Sequence, residues 1–214
     1  GNGGMVCFND KKQYLKSKLL RSWGRSSSLY DEKSEKIENR FNIKLDGIQY
    51  DKKFVFDEIG HNLEPSEIGA AFGLEQLKKL KDNIKKIKMN FNFISKFLKE
   101  YEDIFILPKQ LPKTVTGWLA YPITIKKNAN FTRTEMQIYL EKRNIQTRVV
   151  FTGNILRQPG FKNIKAKKQK EGYPEADNVM RNGILIGCHQ GMTKKMLNHL
   201  RDTIKEFIKY KKSK

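Results

Sequence analysis

Residues that build metal centres are scarce in this sequence. Its 214 residues include two cysteines, Cys7 and Cys188, and three histidines, and no cluster of these residues has the spacing of a zinc site. Each cysteine lies alone in a short apolar segment, so we expect both to be buried thiols of a cytosolic protein. The sequence therefore predicts no metal site.

Long apolar runs are also missing. No stretch of about 18 apolar residues occurs, so we expect no membrane-spanning helix, and no segment has the form of a signal peptide. The hydrophobic content of 38% is nevertheless enough for one or two domains with a core. We therefore expect a cytoplasmic protein that has no membrane partner.

Negative charge is scarce as well, with 23 acidic against 43 basic residues and a net charge of +20. Such a balance is typical of proteins that bind polyanions. Most of the basic residues are lysines, however, and the densest runs, at 162–170 and 205–214, contain few aromatic residues of the kind that stack on bases. We interpret them as a solvated surface, which predicts weak, salt-sensitive binding to polyanions and no specific nucleic-acid partner.

The spacing of apolar residues predicts an α+β fold. The helices are predicted over 10–23, 65–98, 132–143, 175–181 and 193–208, and the strands over 5–8, 119–125, 147–151 and 184–188. Residues 25–51 are polar and aperiodic, which predicts a long surface loop. In the longest helix, an apolar stripe from Leu77 to Leu98 predicts a core face, and Gly69 and Gly73 predict close packing of another backbone.

Three segments, in a fixed order, carry motifs that can be recognised. Residues 1–6 read Gly-Asn-Gly-Gly-Met-Val, residues 60–62 read Gly-His-Asn and are followed by Ala-Ala-Phe-Gly-Leu-Glu-Gln-Leu at 70–77, and residues 187–193 read Gly-Cys-His-Gln-Gly-Met-Thr. This series resembles the DegT/StrS type of sugar-nucleotide aminotransferases, although Gln190 replaces the usual proline of the last motif. Residues 117–124 and 147–159 resemble most closely one branch of that family, the 3-dehydrases of CDP-4-keto-6-deoxyglucose, which deoxygenate rather than aminate.

The resemblance implies a fold and a domain division. The chain is similar to the C-terminal part of a fold-type I transferase that depends on pyridoxal phosphate. Residues 1–60 would then be the tail of the large cofactor-binding domain, with the long polar loop, and residues 61–214 would be the C-terminal small domain.

The resemblance also implies a chemistry. The cofactor would be pyridoxal 5'-phosphate or pyridoxamine 5'-phosphate, and the reaction would move an amino group from a donor such as glutamate to a nucleotide-linked keto-sugar, within a homodimer that serves lipopolysaccharide biosynthesis. A 3-dehydrase reaction and a non-catalytic fragment with a structural or polyanion-binding role both remain open. The family's cofactor-carrying lysine, or the histidine of the dehydrases, precedes the glycine-rich turn, so we expect the catalytic residue upstream of Gly1 and an inactive chain on its own.

One departure bears on the cofactor. Those dehydrases carry a cysteine cluster for an iron–sulfur centre after a Trp-Gly-Arg sequence. Here the same sequence at 23–25 is followed by Ser26, Ser27 and Ser28 and by no cysteine. We therefore expect no iron–sulfur cluster in this loop.

Five residues are candidates for the binding site. By resemblance, Asn62 reaches across the dimer and donates a hydrogen bond to the cofactor phosphate, which an amide does without adding charge; the alternative is that it shapes the turn before the long helix. His61 stands where relatives have tyrosine and could line the sugar pocket, or it is an ordinary turn residue. Arg148, Asn154 and Arg157 follow an apolar strand at a spacing that lets them face one cleft, where arginine forks suit a diphosphate. The alternative for the arginines is an unremarkable surface position.

Overall fold

The computed structural model describes residues 3–30 and 37–213, which divide into two compact units, residues 1–78 and residues 79–214. The helices and strands are α1 (Lys11–Arg21), α2 (Ile37–Arg40), β1 (Ile43–Leu45), β2 (Ile48–Tyr50), α3 (Glu67–Leu98), β3 (Phe105–Ile106), β4 (Ala120–Ile125), α4 (Arg133–Glu141), β5 (Thr147–Val149), α5 (Pro174–Asn182), β6 (Gly183–Gly187) and α6 (Lys194–Lys212). Helix α3 runs through the division between the units. The boundary after residue 60, which the resemblance implied, stays a prediction.

The second unit is built on a four-stranded antiparallel sheet of order β3-β4-β6-β5. Strand β4 alternates strictly between buried and partly exposed residues, with Tyr121, Ile123 and Ile125 buried, because successive side chains of a strand point to opposite faces. Its neighbour β6 pairs Ile186 with Tyr121. The predicted mixture of helices and strands is confirmed, and β3 is an addition that was too short to leave a periodic signal.

The core of the second unit joins this sheet to the helices. Helix α6 buries its residues at helical spacing, including Leu200, Ile204 and Phe207, and the Phe207 ring meets the Phe131 ring edge to face at 4.9 Å between centroids. Burying a side chain of this size contributes about 1.5–3 kcal/mol. The sheet is therefore held by apolar packing on the face that α6 covers.

The predicted starts of α1, α4 and α6 are confirmed, and each of these three helices has a local side-chain cap. Asp10 accepts a hydrogen bond from the Gln13 backbone N–H at 2.8 Å at the start of α1. Thr132 and Glu135 form a complete capping box at the start of α4, in which each side chain accepts from the backbone N–H of the other. Thr193 caps α6 through a single hydrogen bond, which it accepts from the Met196 backbone N–H at 3.2 Å.

Helix α3 departs from the prediction in its first half. Phe91, Ile94 and Leu98 of the apolar stripe are buried, but Leu77 is 62% exposed and Leu80 is 48% exposed. The expectation of a continuous core face was wrong for this chain, because no described residues cover the first half of the stripe. A Cβ added to Gly73 would likewise meet nothing within 4 Å, so the predicted backbone neighbour does not come from the described part of this chain.

The beginning of the chain also differs from expectation. Residues 3–8 form no strand, since no described strand pairs with them, and Cys7 is exposed rather than buried. Cys188 is fully buried, as predicted, and burial raises the pKa of its thiol to about 11.

The segment predicted as a long polar loop contains a β-hairpin. Strands β1 and β2 pair in antiparallel register, with Ile43 opposite Tyr50. The turn between them is Asp46-Gly47, with φ of 49° and 86°, which matches the two-residue turns that Asp-Gly favours. The prediction of an irregular loop was wrong for residues 43–50. The Asp-Gly pair favours a hairpin turn, but the polar residues on both sides of it led to the prediction of a loop.

The capping box at α4 makes a pH-dependent contribution to stability. Hydrogen bonds from Lys211 and from Thr132 lower the pKa of Glu135 from 4.5 to about 2. Because the folded pKa is depressed, the contribution is complete above pH 4.5 and is lost as the pH falls toward 2. Glu135→Gln keeps a capping side chain but removes the charge. We expect a lower urea midpoint than wild type at pH 7, and a difference that shrinks between pH 4.5 and pH 2.

The matched control is Glu171→Gln, at an exposed position that forms no ion pair among the described residues. It should leave the urea midpoint unchanged across the same range. A difference for Glu135→Gln that is constant with pH would contradict the electrostatic account.

Candidate functional site

A sharp corner in the first unit places His61 and Asn62. Helix α1 ends just before Trp23 and Gly24, whose φ values of 58° and 81° reverse the chain. The returning segment then bonds to the end of the helix: the His61 N–H donates to the Leu20 carbonyl at 2.7 Å, and the Trp23 N–H donates to the His61 carbonyl at 2.9 Å. The backbone around His61 is therefore fixed on both sides.

Two glycines make this corner possible. A Cβ on Gly60 would lie 2.3 Å from the Gly24 nitrogen, and a Cβ on Gly24 would lie 1.8 Å from the Glu58 carbonyl oxygen. No other residue type fits at either position without moving the backbone. The glycine of the Gly-His-Asn motif is thus explained by direct contact between two backbones.

The corner leaves the side chains of His61 and Asn62 exposed. Asn62 forms an antiparallel bridge with Ser22 through its backbone, while its side-chain amide bonds to no group among residues 3–30 and 37–213. An amide N–H that is unused and carried on a fixed backbone is suited to bind a phosphate. The residue therefore fits the cofactor role that the resemblance assigned to it, and that role stays a prediction.

Replacement of Gly60 tests the corner. Gly60→Ala should destabilise the chain by about 1–3 kcal/mol, because the added methyl overlaps backbone atoms that cannot move aside. Gly73→Ala is the matched control: its Cβ meets nothing within 4 Å, and removing a helical glycine should stabilise α3 by up to about 1 kcal/mol. Urea unfolding of both variants measures the difference. An equally tolerated Gly60→Ala would contradict the backbone contact.

In the second unit, the segment after β5 is tied to α5 by one carboxylate. Asp177, in the first turn of α5, accepts from the Asn154 Nδ2 at 2.8 Å and from the Arg157 Nε and Nη2 at 2.5 Å each. Asn154 is buried, and its Oδ1 accepts from the Leu156 backbone N–H at 3.1 Å. These hydrogen bonds hold the pKa of Asp177 well below its usual range.

Asn154 and Arg157 are thus brought together around a carboxylate of the same chain. No pattern in the sequence singled out Asp177. An acidic residue in a helix's first turn is common and carries no local signal of a partner 20 residues away. The part of Asn154 and Arg157 in binding a diphosphate stays a prediction.

Arg148 is placed differently from the other two. It follows the buried Thr147 on β5, is itself exposed, and donates through Nη1 to the Thr147 carbonyl at 2.9 Å. Its charge contributes to lowering the pKa of Glu141, after the hydrogen bonds from Thr147, but it forms no ion pair within the described residues. Most of its guanidinium donors remain available to an anion.

One open cleft of the second unit is lined by none of these residues. It has a volume of about 520 Å³ and lies between α3, β3 and β4, with Tyr121 and Ser95 hydrogen-bonded at 3.0 Å. Burial raises the pKa of the Tyr121 hydroxyl.

Across residues 3–30 and 37–213, no three acidic, histidine or cysteine side chains are grouped so that they could ligate a metal ion. Within the same residues, none of the helices has the length and apolar composition of a transmembrane segment.

Comparison with known proteins supplies the relationship. The sequence model of the DegT/DnrJ/EryC1/StrS aminotransferase family matches residues 1–205. The chain belongs to this family. The family predicted from the sequence motifs is thereby confirmed.

Two curated relatives and one solved structure illustrate the match. The lipopolysaccharide biosynthesis protein RfbH of Salmonella typhimurium is 29% identical over 97% of this chain and 48% of its own length. The dTDP-4-dehydro-2,6-dideoxy-D-glucose 3-dehydratase of Saccharopolyspora spinosa is 29% identical over 97% of this chain and 45% of its own length. The Escherichia coli GDP-4-keto-6-deoxy-D-mannose-3-dehydratase, solved with bound hydrated PLP, superposes with a TM-score of 0.76 at 23% identity, over 91% of this chain and 48% of that one.

These matches fix the fold of the chain as that of part of a sugar-nucleotide aminotransferase or dehydratase. The chain spans about half the length of the curated relatives it matches. The predicted α+β class is confirmed at this level.

Proposed function

We propose that this chain is the C-terminal part, with the small domain, of a cytoplasmic enzyme that depends on pyridoxal phosphate and transfers an amino group to a nucleotide-linked keto-sugar. The observation that carries the proposal is the corner at 60–62, where a family motif and two backbones in contact present the unused amide of Asn62. The matched relatives act in lipopolysaccharide biosynthesis and on nucleotide-linked deoxysugars. This agreement supports the same substrate class for the whole enzyme.

Each candidate residue has a role that its surroundings allow. Pyridoxal phosphate, when bound, supplies the electron sink for the reaction. Asn62 would donate to its phosphate in the other subunit, and the adjacent His61 would contact the sugar. Arg148 would bind the diphosphate of the substrate through donors that no carboxylate of the described residues occupies.

Arg157 can serve the diphosphate as well, in spite of its bond to Asp177. A guanidinium has five N–H donors, and Asp177 uses the two that Nε and Nη2 present. The Asp177 carboxylate and Asn154 would then orient the Arg157 guanidinium, whose remaining N–H donors would still be available to the diphosphate. Asp177 would therefore be a positioning residue. Asn154, besides capping the turn through its Oδ1, would help to hold the Asp177 carboxylate in place.

A 3-dehydratase is the second candidate, and one observation bears on its iron–sulfur form. The three serines after Trp23-Gly24-Arg25 use their hydroxyls inside the fold: Ser26 Oγ donates to the Val55 carbonyl at 3.2 Å, and Ser28 Oγ donates to the Arg25 carbonyl at 2.7 Å. They close the base of the hairpin segment. This arrangement favours amination, or a dehydration that needs no cluster.

The exposed half of α3 is the proposed contact with the remainder of a homodimeric enzyme. Its exposed apolar residues are Ile68, Phe72, Leu74, Leu77 and Leu80. Five large apolar side chains this exposed within 13 residues of one helix are uncommon on the surface of a monomer. It supports docking against the other half of the enzyme or a second subunit.

The function is tested in the full-length protein with pyridoxal phosphate, glutamate and GDP-, CDP- or dTDP-linked 4-keto-6-deoxy sugars. We expect one of these sugars to gain an amino group, detected by mass spectrometry. Asn62→Ala should weaken cofactor retention by roughly 10- to 150-fold, since one hydrogen bond to a charged group contributes about 1.5–3 kcal/mol.

Asn163→Ala, at an exposed position elsewhere, is the matched control and should retain the cofactor. Loss of the 3-hydroxyl instead of gain of an amine would establish the dehydratase. If neither product forms although the cofactor site is intact, the proposed function is wrong and the hypothesis of a non-catalytic protein remains. The 214-residue chain by itself should show neither reaction.

Self-association tests the docking role of the exposed apolar residues of α3. The wild-type chain should elute from size exclusion as a dimer or larger species in a concentration-dependent manner. Leu77→Glu should shift it toward the monomer, because a charge cannot be buried there without a partner. Val115→Glu, at an apolar position that is 87% exposed, is the control and should elute as wild type does. A monomeric wild-type chain at all concentrations would refute the docking role.

A further inference from the structure

The turn between β5 and the following segment holds an aromatic ring in an unusual position. The Gly153 N–H donates to the Val150 carbonyl at 3.1 Å, which closes a four-residue turn at 150–153. Phe151, its second residue, has a φ of 47°. Turns with a positive φ at this position favour glycine there, and a bulky side chain is strained in this conformation.

The strain is not offset by packing of the ring. Phe151 is 76% exposed, and among residues 3–30 and 37–213 its ring contacts no other aromatic ring and no cation. A strained residue that its surroundings hold without a local benefit is a candidate for function.

The neighbours of Phe151 fix the turn rigidly. A Cβ on Gly153 would lie 2.4 Å from the Met180 Cβ, and a Cβ on Gly183 would lie 2.8 Å from the Val150 Cγ2, so both glycines permit close packing against the turn. Asn154 then follows, buried and bound to Asp177. The turn is held before and after Phe151, while the ring itself faces solvent.

Phe151 and a residue close to it in sequence together suit one kind of ligand. Arg148, three residues earlier and on the same segment, keeps most of its guanidinium donors unpaired within the described residues. An exposed aromatic face stacks on a nucleobase, and a guanidinium fork binds a diphosphate. A nucleoside diphosphate carries both groups.

We propose that Phe151 is the stacking platform for the base of the nucleotide-linked substrate, with Arg148 on its diphosphate. The inference rests on the proposed function and deepens it by assigning the base-binding residue. The turn holds the backbone of Phe151 in place, so little ordering of the backbone remains to be done when the substrate binds.

The test is calorimetric binding to the full-length protein, with GDP, CDP, dTDP and inorganic pyrophosphate as probes. Phe151→Gly should weaken binding of the best nucleoside diphosphate by roughly 5- to 100-fold, the range of aromatic–base stacking, and leave pyrophosphate binding within about twofold. Phe151→Trp should retain nucleotide binding. Phe161→Gly, at an aromatic position that is 43% exposed, is the control and should bind as wild type does.

Two further readouts separate this role from others. Phe151→Gly should keep or raise the melting temperature, because glycine relieves the positive φ, whereas a structural role would lower it. Arg148→Ala should weaken both nucleotide and pyrophosphate. Unchanged nucleotide binding by Phe151→Gly, equal weakening of both probes, or loss of the dimer in sedimentation would overturn the inference. Turnover of keto-sugars is measured separately, so failure of the proposed function is distinguishable.

Discussion

The first unit depends on direct contact between two backbones at Gly24 and Gly60. Their missing Cβ atoms let the chain that leaves α1 run beside the chain that returns toward α3. That contact closes the hairpin segment between them and fixes the backbone of Asn62. A side chain at either glycine would separate the two segments, and the exposed amide would lose its fixed position.

The second unit uses the same device for a different purpose. Gly153 and Gly183 allow the turn after β5 to pack tightly, and Asp177 gathers Asn154 and Arg157 onto α5. Apolar packing of the sheet supplies the stability behind this arrangement, since β4 and β6 bury nearly all of one face. Rigid support of this kind is what a binding surface needs if its side chains are to meet a ligand already oriented.

The elements that were predicted correctly have signals that lie within a few residues. The caps at Asp10, Thr132 and Thr193 each involve a donor three residues further along, and the alternation of β4 follows from the period of a strand. Local signals did not predict the hairpin at 43–50, because polar residues surround its Asp-Gly turn. They also did not predict that the first half of α3 would be exposed. A periodic pattern reports that a face is apolar, and the residues that cover it lie elsewhere.

In the candidate site, too, some features follow from the sequence and others only from the tertiary structure. Motifs in the sequence determined the family, singled out Asn62, His61, Arg148, Asn154 and Arg157, and excluded a cysteine-bound cluster at 26–28. Only the tertiary structure decided that Asp177 binds two of these residues, that Gly60 lies on Gly24, and that Phe151 is held at a positive φ with its ring exposed. These facts depend on contacts between residues 20 or more positions apart, or on backbone conformations that such contacts impose. Local periodicity and residue type do not indicate which distant residue will bond to a polar group or contact the backbone.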